Sequence, residues 1–148
     1  MAYKDASSTY KETRIKTAGP GQLIVMLYDE AVKQLTMAIE LLELNQNEKR
    51  DPGKIELISK AVTKAEEIIT ELMVSLDFEQ GGEISKNLFS LYSWFNRELM
   101  EANISQDVDR MTTVKDMLAE LRNTWSTICQ NAAVPQNREA VVGLNIDG

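Results

Sequence analysis

Thr17-Ala18-Gly19-Pro20-Gly21-Gln22-Leu23-Ile24-Val25-Met26-Leu27-Tyr28-Asp29 is the stretch from which the fold of this 148-residue chain follows. Gly19, Pro20 and Gly21 break whatever precedes them, and proline fits the first turn of a helix, where its missing N–H costs nothing. Leu23 to Tyr28 are then six apolar or aromatic residues in a row. One buried helix face needs only two or three of those six. From there the pattern settles into a stripe of Leu27, Ala31, Leu35, Ala38 and Leu42, with Asp29, Glu30, Lys33 and Gln34 opposite. The spacing predicts a helix from Pro20 to Leu44 with a core stripe along its length and surplus apolar surface near its start.

Three more amphipathic segments follow. Asn45 to Gly53 is polar and ends in Pro-Gly, which predicts a break. The second helix is expected over Lys54–Leu76, with Ile58, Ala61, Ala65, Ile68, Ile69, Leu72 and Leu76 inward at near-heptad spacing. Asp77 to Gly82 is a tight connection whose glycines suit left-handed backbone angles. The third helix, Glu83–Ala102, points Ile84, Leu88, Leu91, Phe95 and Leu99 inward, while Phe89, Tyr92 and Trp94 widen its apolar band. After a turn in which Ser105 or Asp107 can cap, the fourth helix, Val108–Asn131, carries Met111, Val114, Leu118, Leu121, Trp125 and Ile128. Four long helices, short connections and almost no strand signal predict an all-α fold, an antiparallel up-down-up-down four-helix bundle. Residues 1–19 form a polar N-terminal arm with isolated anchors at Tyr3, Tyr10 and Ile15, the bundle spans 20–131, and 132–148 is a C-terminal tail.

Composition removes several function classes. The net charge is -7 with Lys and Arg scattered, so no concentrated basic surface exists for nucleic acid or an anionic membrane. No apolar run is long enough to cross a bilayer, and the first residues lack the apolar core of a secretory signal. With one cysteine, Cys129, no intramolecular disulfide forms. The expectation is a protein of the cytosol. Histidine is absent, which takes away the commonest general base and transition-metal ligand. The Glu-x-x-His pairs of a di-metal bundle are therefore absent too. The glycines form no phosphate-binding loop. Glu66, Glu67 and Glu71, or Glu98 and Glu101, read as solvated faces supported by pairs such as Glu56–Lys60. No catalytic residue, cofactor or metal is expected, and the chain does not read as an enzyme. What remains is surplus apolar surface from Ile24, Val25, Met26, Tyr28, Phe89, Tyr92 and Trp94, with Met37, Met73, Met100, Met111 and Met117 as adaptable side chains. A groove accepting apolar helical segments is the reading that uses it.

These residues also carry a family resemblance. Tyr10, then Ile15-Lys16-Thr17-Ala18-Gly19-Pro20-Gly21-Gln22-Leu23-Ile24-Val25-Met26-Leu27-Tyr28-Asp29, resembles the N-terminal signature of the FliS family of flagellar export chaperones. Lys64-Ala65-x-x-Ile68-Ile69-x-Glu71-Leu72, Ser75-Leu76-Asp77 and Gly81-Gly82-Glu83-Ile84-x-x-Asn87-Leu88-x-x-Leu91-Tyr92 are similar to its second- and third-helix motifs. Ala102-Asn103 and Leu121-Arg122-x-x-Trp125 also fit. The likeness spans residues 10 to 130 in register. It departs at Gly19, where the family often has Ser, and at Glu30, where it often has Gly.

The resemblance implies a cytosolic chaperone that binds the disordered C-terminal segment of flagellin one-to-one. Such a chaperone prevents premature polymerisation and delivers the subunit to the flagellar type III export apparatus. It leaves room for another flagellar regulator as a partner and for a homodimer of the unliganded protein. It also implies that the segment containing Tyr10 lies over the groove until flagellin displaces it. Tyr10 and Ile15 are thus expected in the arm, and Leu23, Ile24, Leu27, Tyr28, Phe89 and Tyr92 are expected to line or support the partner-binding groove. The competing reading is a structural bundle that assembles with its own copies through the same apolar faces.

Overall fold

The computed structural model describes residues 20–132, so Tyr10, Ile15 and the rest of the arm lie outside the described residues, as does the tail from residue 133. Four helices account for nearly all of it: α1 (Pro20–Asn47), α2 (Pro52–Val74), α3 (Phe78–Ser105) and α4 (Val108–Ala132). Helix α1 runs one turn beyond Leu44 because Asn45 is buried at the end of the stripe and its side-chain oxygen accepts the Asp51 N–H at 2.8 Å. That bond closes the α1–α2 turn. Asp51 caps α2, its carboxylate accepting the Gly53 N–H at 2.9 Å with Pro52 at the first helical position. Helix α2 therefore starts two residues earlier than the apolar spacing alone indicates.

Helix α3 is two pieces. Asp77 accepts the N–H groups of Glu79 and Gln80 at 3.0 Å each and starts a first turn at Phe78. Gly82 then interrupts it with φ 51° and ψ -124°, and the main helix begins at Glu83 as its spacing indicates. The Ser85 hydroxyl donates to the Asp77 carbonyl at 2.8 Å and locks the short turn against the long helix. Asp107, of the two candidate caps, is the one that serves α4: it accepts the Arg110 N–H at 3.1 Å, while Ser105 bonds back to the Glu101 carbonyl. Gln106 closes α3 in the left-handed region, and its carbonyl accepts the Gln46 side chain at 2.8 Å, tying the two turns at this end of the molecule together.

Each helix packs on its sequence neighbours and α4 returns to α1, so the ring order is α1–α2–α3–α4 with α1 and α3 on one diagonal. The core is made of the inward stripes: Ala31, Leu35, Ala38 and Leu42; Ile58, Ala61, Val62, Ala65, Ile68, Ile69 and Leu72; Phe95, Leu99 and Ala102; Met111, Val114 and Leu118. Among the described residues no helix is long and apolar enough to cross a membrane.

The core expectation at Ile84 fails outright. Ile84 is 70 % exposed, although it lies on the same face of α3 as Leu88, Leu91 and Phe95. It lies about two helical turns before Tyr92, and the closed part of the core ends at Tyr92. Spacing marks a face but does not tell where along the helix the neighbours stop covering it.

Gly82 is the position where backbone geometry demands glycine, since a side chain rarely adopts that φ. Gly82→Ala is expected to destabilise the fold by about 1–3 kcal/mol, read as a lower urea midpoint with unchanged slope. An unchanged midpoint would mean the Gly82 kink is not held by the fold.

Candidate partner-binding site

The inward faces of the four helices do not close equally along the bundle. Tyr28 on α1 is fully buried and Tyr92 on α3 is 2 % exposed. Their hydroxyls hydrogen-bond to each other across the α1–α3 diagonal, with ring centroids 6.5 Å apart. Two phenols in an apolar interior each need a partner, and each supplies the other's. Trp125 on α4 packs against the same core from the side. Burial, and then the Tyr92 phenol beside it, push the Tyr28 hydroxyl far above the ordinary tyrosine range, with the nearby Trp125 indole working in the opposite direction. Burial also raises Tyr92, opposed by its bond to Tyr28.

Beyond this pair the core opens. On α1, Leu23, Ile24, Met26 and Leu27 are half-buried, and Val25 alone among Gly21–Leu27 is buried. On α3, Leu91 and Leu88 are half-buried before Ile84 becomes exposed. On α4 no residue from Ala119 to Asn131 is buried, so Leu121, Trp125 and Ile128 present the continuation of the core stripe partly to solvent. The start of α1 and the end of α4 are held together at this mouth. Arg122 donates to Asp29 at 2.7 Å, an ion pair with enough exposure to be worth little by itself. A side chain at position 21 would meet the Cys129 sulfur at 2.5 Å, so glycine lets the two helices approach. Cys129 is half-buried, and burial raises its thiol pKa, which makes it a packing residue in this seam.

The sequence candidates therefore sort into three groups. Ile24 and Leu27 pack against the core from the mouth, and Leu23 lies beside them half-covered. Tyr28 and Tyr92 are core residues that form the floor of the mouth and offer no exposed surface. Phe89 is elsewhere. It is 42 % exposed and stacks edge-on with Phe78 at 5.9 Å. It shares a helical stripe with Asn96, which reaches Thr70 of α2 at 3.2 Å, so it sits on the α2 edge of the bundle. That edge lies opposite the α1–α4 seam. Trp125, Ile128 and Leu121 read from sequence as plain core, yet they complete the mouth. Phe78, in the expected connection, was not legible as a surface residue. Its one signal was a large aromatic directly after a capping aspartate. Among the described residues no cluster of acidic or cysteine side chains is arranged to hold a metal ion.

Comparison with known proteins gives a consistent set of matches. A family model described as "Flagellar protein FliS" matches residues 2–132. A flagellar secretion chaperone FliS of Salmonella typhimurium is 34 % identical over 128 residues, covering 86 % of this chain and 89 % of the relative. One from Bacillus subtilis is 28 % identical over 131 residues, covering 88 % and 91 %. The flagellar secretion chaperone FliSB of Pseudomonas aeruginosa is 33 % identical over 127 residues, covering 86 % and 94 %.

Removing one hydroxyl of the tyrosine pair strands the other in the core. Tyr28→Phe and Tyr92→Phe should each cost about 1–3 kcal/mol, and the double variant less than the two together. A denaturant double-mutant cycle reads this, and additive losses would contradict a shared bond. Both phenols lie above their unfolded value, so the stability they hold is complete below about pH 10 and is lost as the pH rises toward the folded values. The double variant should lose less stability than the parent above about pH 10, measured by urea titration across that range.

Proposed function

The chain belongs to the FliS family of flagellar proteins, a family of chaperones and not of enzymes, and from that premise we propose which segment it chaperones and where. As a flagellar secretion chaperone it holds the C-terminal segment of flagellin in a one-to-one complex, keeps it from polymerising, and hands it to the export apparatus. The observation that supports this most is the half-covered mouth of the bundle. Leu23, Ile24 and Leu27 from α1 and Leu121, Trp125 and Ile128 from α4 leave a continuous core stripe partly open. A segment that folds on binding loses chain entropy at that moment, so it needs a long apolar contact to offset the cost. The mouth supplies one, and its apolar side chains meet the anchors of an amphipathic helix at helical spacing.

Tyr28 and Tyr92 act from beneath. Their hydroxyl pair fixes the spacing of the α1–α3 diagonal, so the mouth keeps its width whether or not a segment fills it. Tyr10 and Ile15, in the arm that leads into α1, cover the same surface in the free protein. Arm and flagellin then compete, and the apparent affinity falls by the fraction of covered protein.

Light scattering after size-exclusion chromatography should give a single one-to-one species with a flagellin C-terminal fragment, and circular dichroism should show more helix than the separate parts. In calorimetry Ile24→Asp should weaken binding by about tenfold or more, whereas Tyr10→Ala should strengthen it or leave the enthalpy changed by the loss of arm displacement. Separate peaks at micromolar concentration, with both variants indistinguishable from the parent, would overturn the assignment. A self-association unaltered by flagellin would then favour the structural bundle.

A further inference from the structure

The mouth does not account for the opposite edge of the bundle. Phe78 and Phe89 form an edge-on pair at 5.9 Å, and they are 47 % and 42 % exposed. Val74, the last residue of α2, is 81 % exposed just before the turn that leads to Phe78. Two large aromatics in contact with each other but half-open to water have satisfied only part of their burial. The local backbone holds them there. The Asp77 cap and the Gly82 kink fold the first turn of α3 back beside the long helix, and the Ser85–Asp77 bond fixes that turn. This is a formed apolar face, shaped by the same devices that shape the fold.

Its surroundings are sharply acidic. Residues 66–89 hold six carboxylates, Glu66, Glu67, Glu71, Asp77, Glu79 and Glu83, against one cation, Lys86. Lys86 is already engaged with Glu83 at 3.7 Å. All of the carboxylates except Glu66 are exposed. Asp77, Glu79 and Glu83 lie within five residues of Phe78, so the turn that carries the aromatic pair is itself strongly acidic. The mouth differs: there Asp29 is paired with Arg122. An apolar centre with a rim of one sign selects a partner by charge, because cations are attracted to the rim and anions are repelled while the anchors are buried.

We propose that the Phe78–Phe89 face docks a basic amphipathic helix of a second protein, one whose apolar anchors are flanked by Lys or Arg. Ring order puts this face on the α2–α3 edge, opposite the α1–α4 seam. A helix seated on it leaves the mouth free, so the chain can hold two partners at once. Phe89 then serves this second partner and not the mouth.

The test uses the full chain and two synthetic helical peptides with identical leucine anchors, one flanked by lysines and one by glutamates. Binding is followed by backbone amide chemical shifts. The lysine peptide should perturb Val74 to Gly82 and Phe89 and leave Leu23 to Leu27 unmoved. The glutamate twin should bind about tenfold more weakly or worse, and the difference should shrink at high salt as the charges are screened. Phe78→Ser and Phe89→Ser, both at exposed positions and checked for unchanged circular dichroism, should each weaken the lysine peptide by several-fold or more. Equal binding of the twins would overturn the proposal, as would shifts spread over the whole surface or confined to the mouth, or no binding at about 1 mM. A dimer of the free chain that Phe89→Ser dissociates, without any preference for the lysine peptide, would overturn it in favour of a second copy as the occupant.

Discussion

The hydroxyl pair of Tyr28 and Tyr92 is the constraint around which the bundle divides. It joins the two diagonal helices, which meet little elsewhere, and it lies where the closed core gives way to the mouth. On one side, the stripes of all four helices are buried. On the other, the stripes of α1, α3 and α4 continue half in water, while α2 ends at Val74. A purely apolar contact at this level would hold the diagonal by non-directional packing alone. Two phenols that must satisfy each other in an apolar interior fix both distance and orientation. The open end is therefore a shaped surface on a rigid floor, and the cost of that shape is met by the closed half.

The ends of the helices are handled by local chemistry. Asn45 and Asp51 close one turn, Asp77 and Gly82 build another, and Gln46 ties across to the Gln106 carbonyl. The devices at Asp77 and Gly82 also place the Phe78–Phe89 face, so the same turn that connects two helices sets an exposed aromatic pair in an acidic field. The molecule thus presents two unlike apolar surfaces: a half-covered one at the open ends of α1 and α4, where Asp29 is paired with Arg122, and an exposed aromatic pair at the start of α3 beside Asp77, Glu79 and Glu83.

Much of the fold was legible in the sequence because apolar period and break signals are local. Leu35, Ile68, Leu99 and Val114 follow from spacing, and the glycines before Glu83 mark the true start of the long part of α3. The candidate site was less legible. Spacing put Ile84 in the core, and it is exposed; it gave Tyr28 and Tyr92 as surplus apolar surface, and they are the buried floor. Both outcomes depend on how far neighbouring helices extend along the axis, which no single helix encodes. Phe89 grouped with Tyr92 because residues three apart share a helix face, yet Phe89 lies at the edge of that face, in line with Asn96 and α2, and stays exposed. Trp125 and Ile128 looked like ordinary core for the same reason that Ile84 did.

The central claim is that the open end between α1 and α4 is the surface that takes the exported segment. Amide hydrogen exchange of the full chain, with and without a flagellin C-terminal fragment, tests it most directly. Protection should rise along Leu23–Leu27 and Leu121–Ile128 and stay unchanged along Val74–Gly82. Protection gained along Val74–Gly82 instead, with the two mouth segments unaltered, would contradict the account.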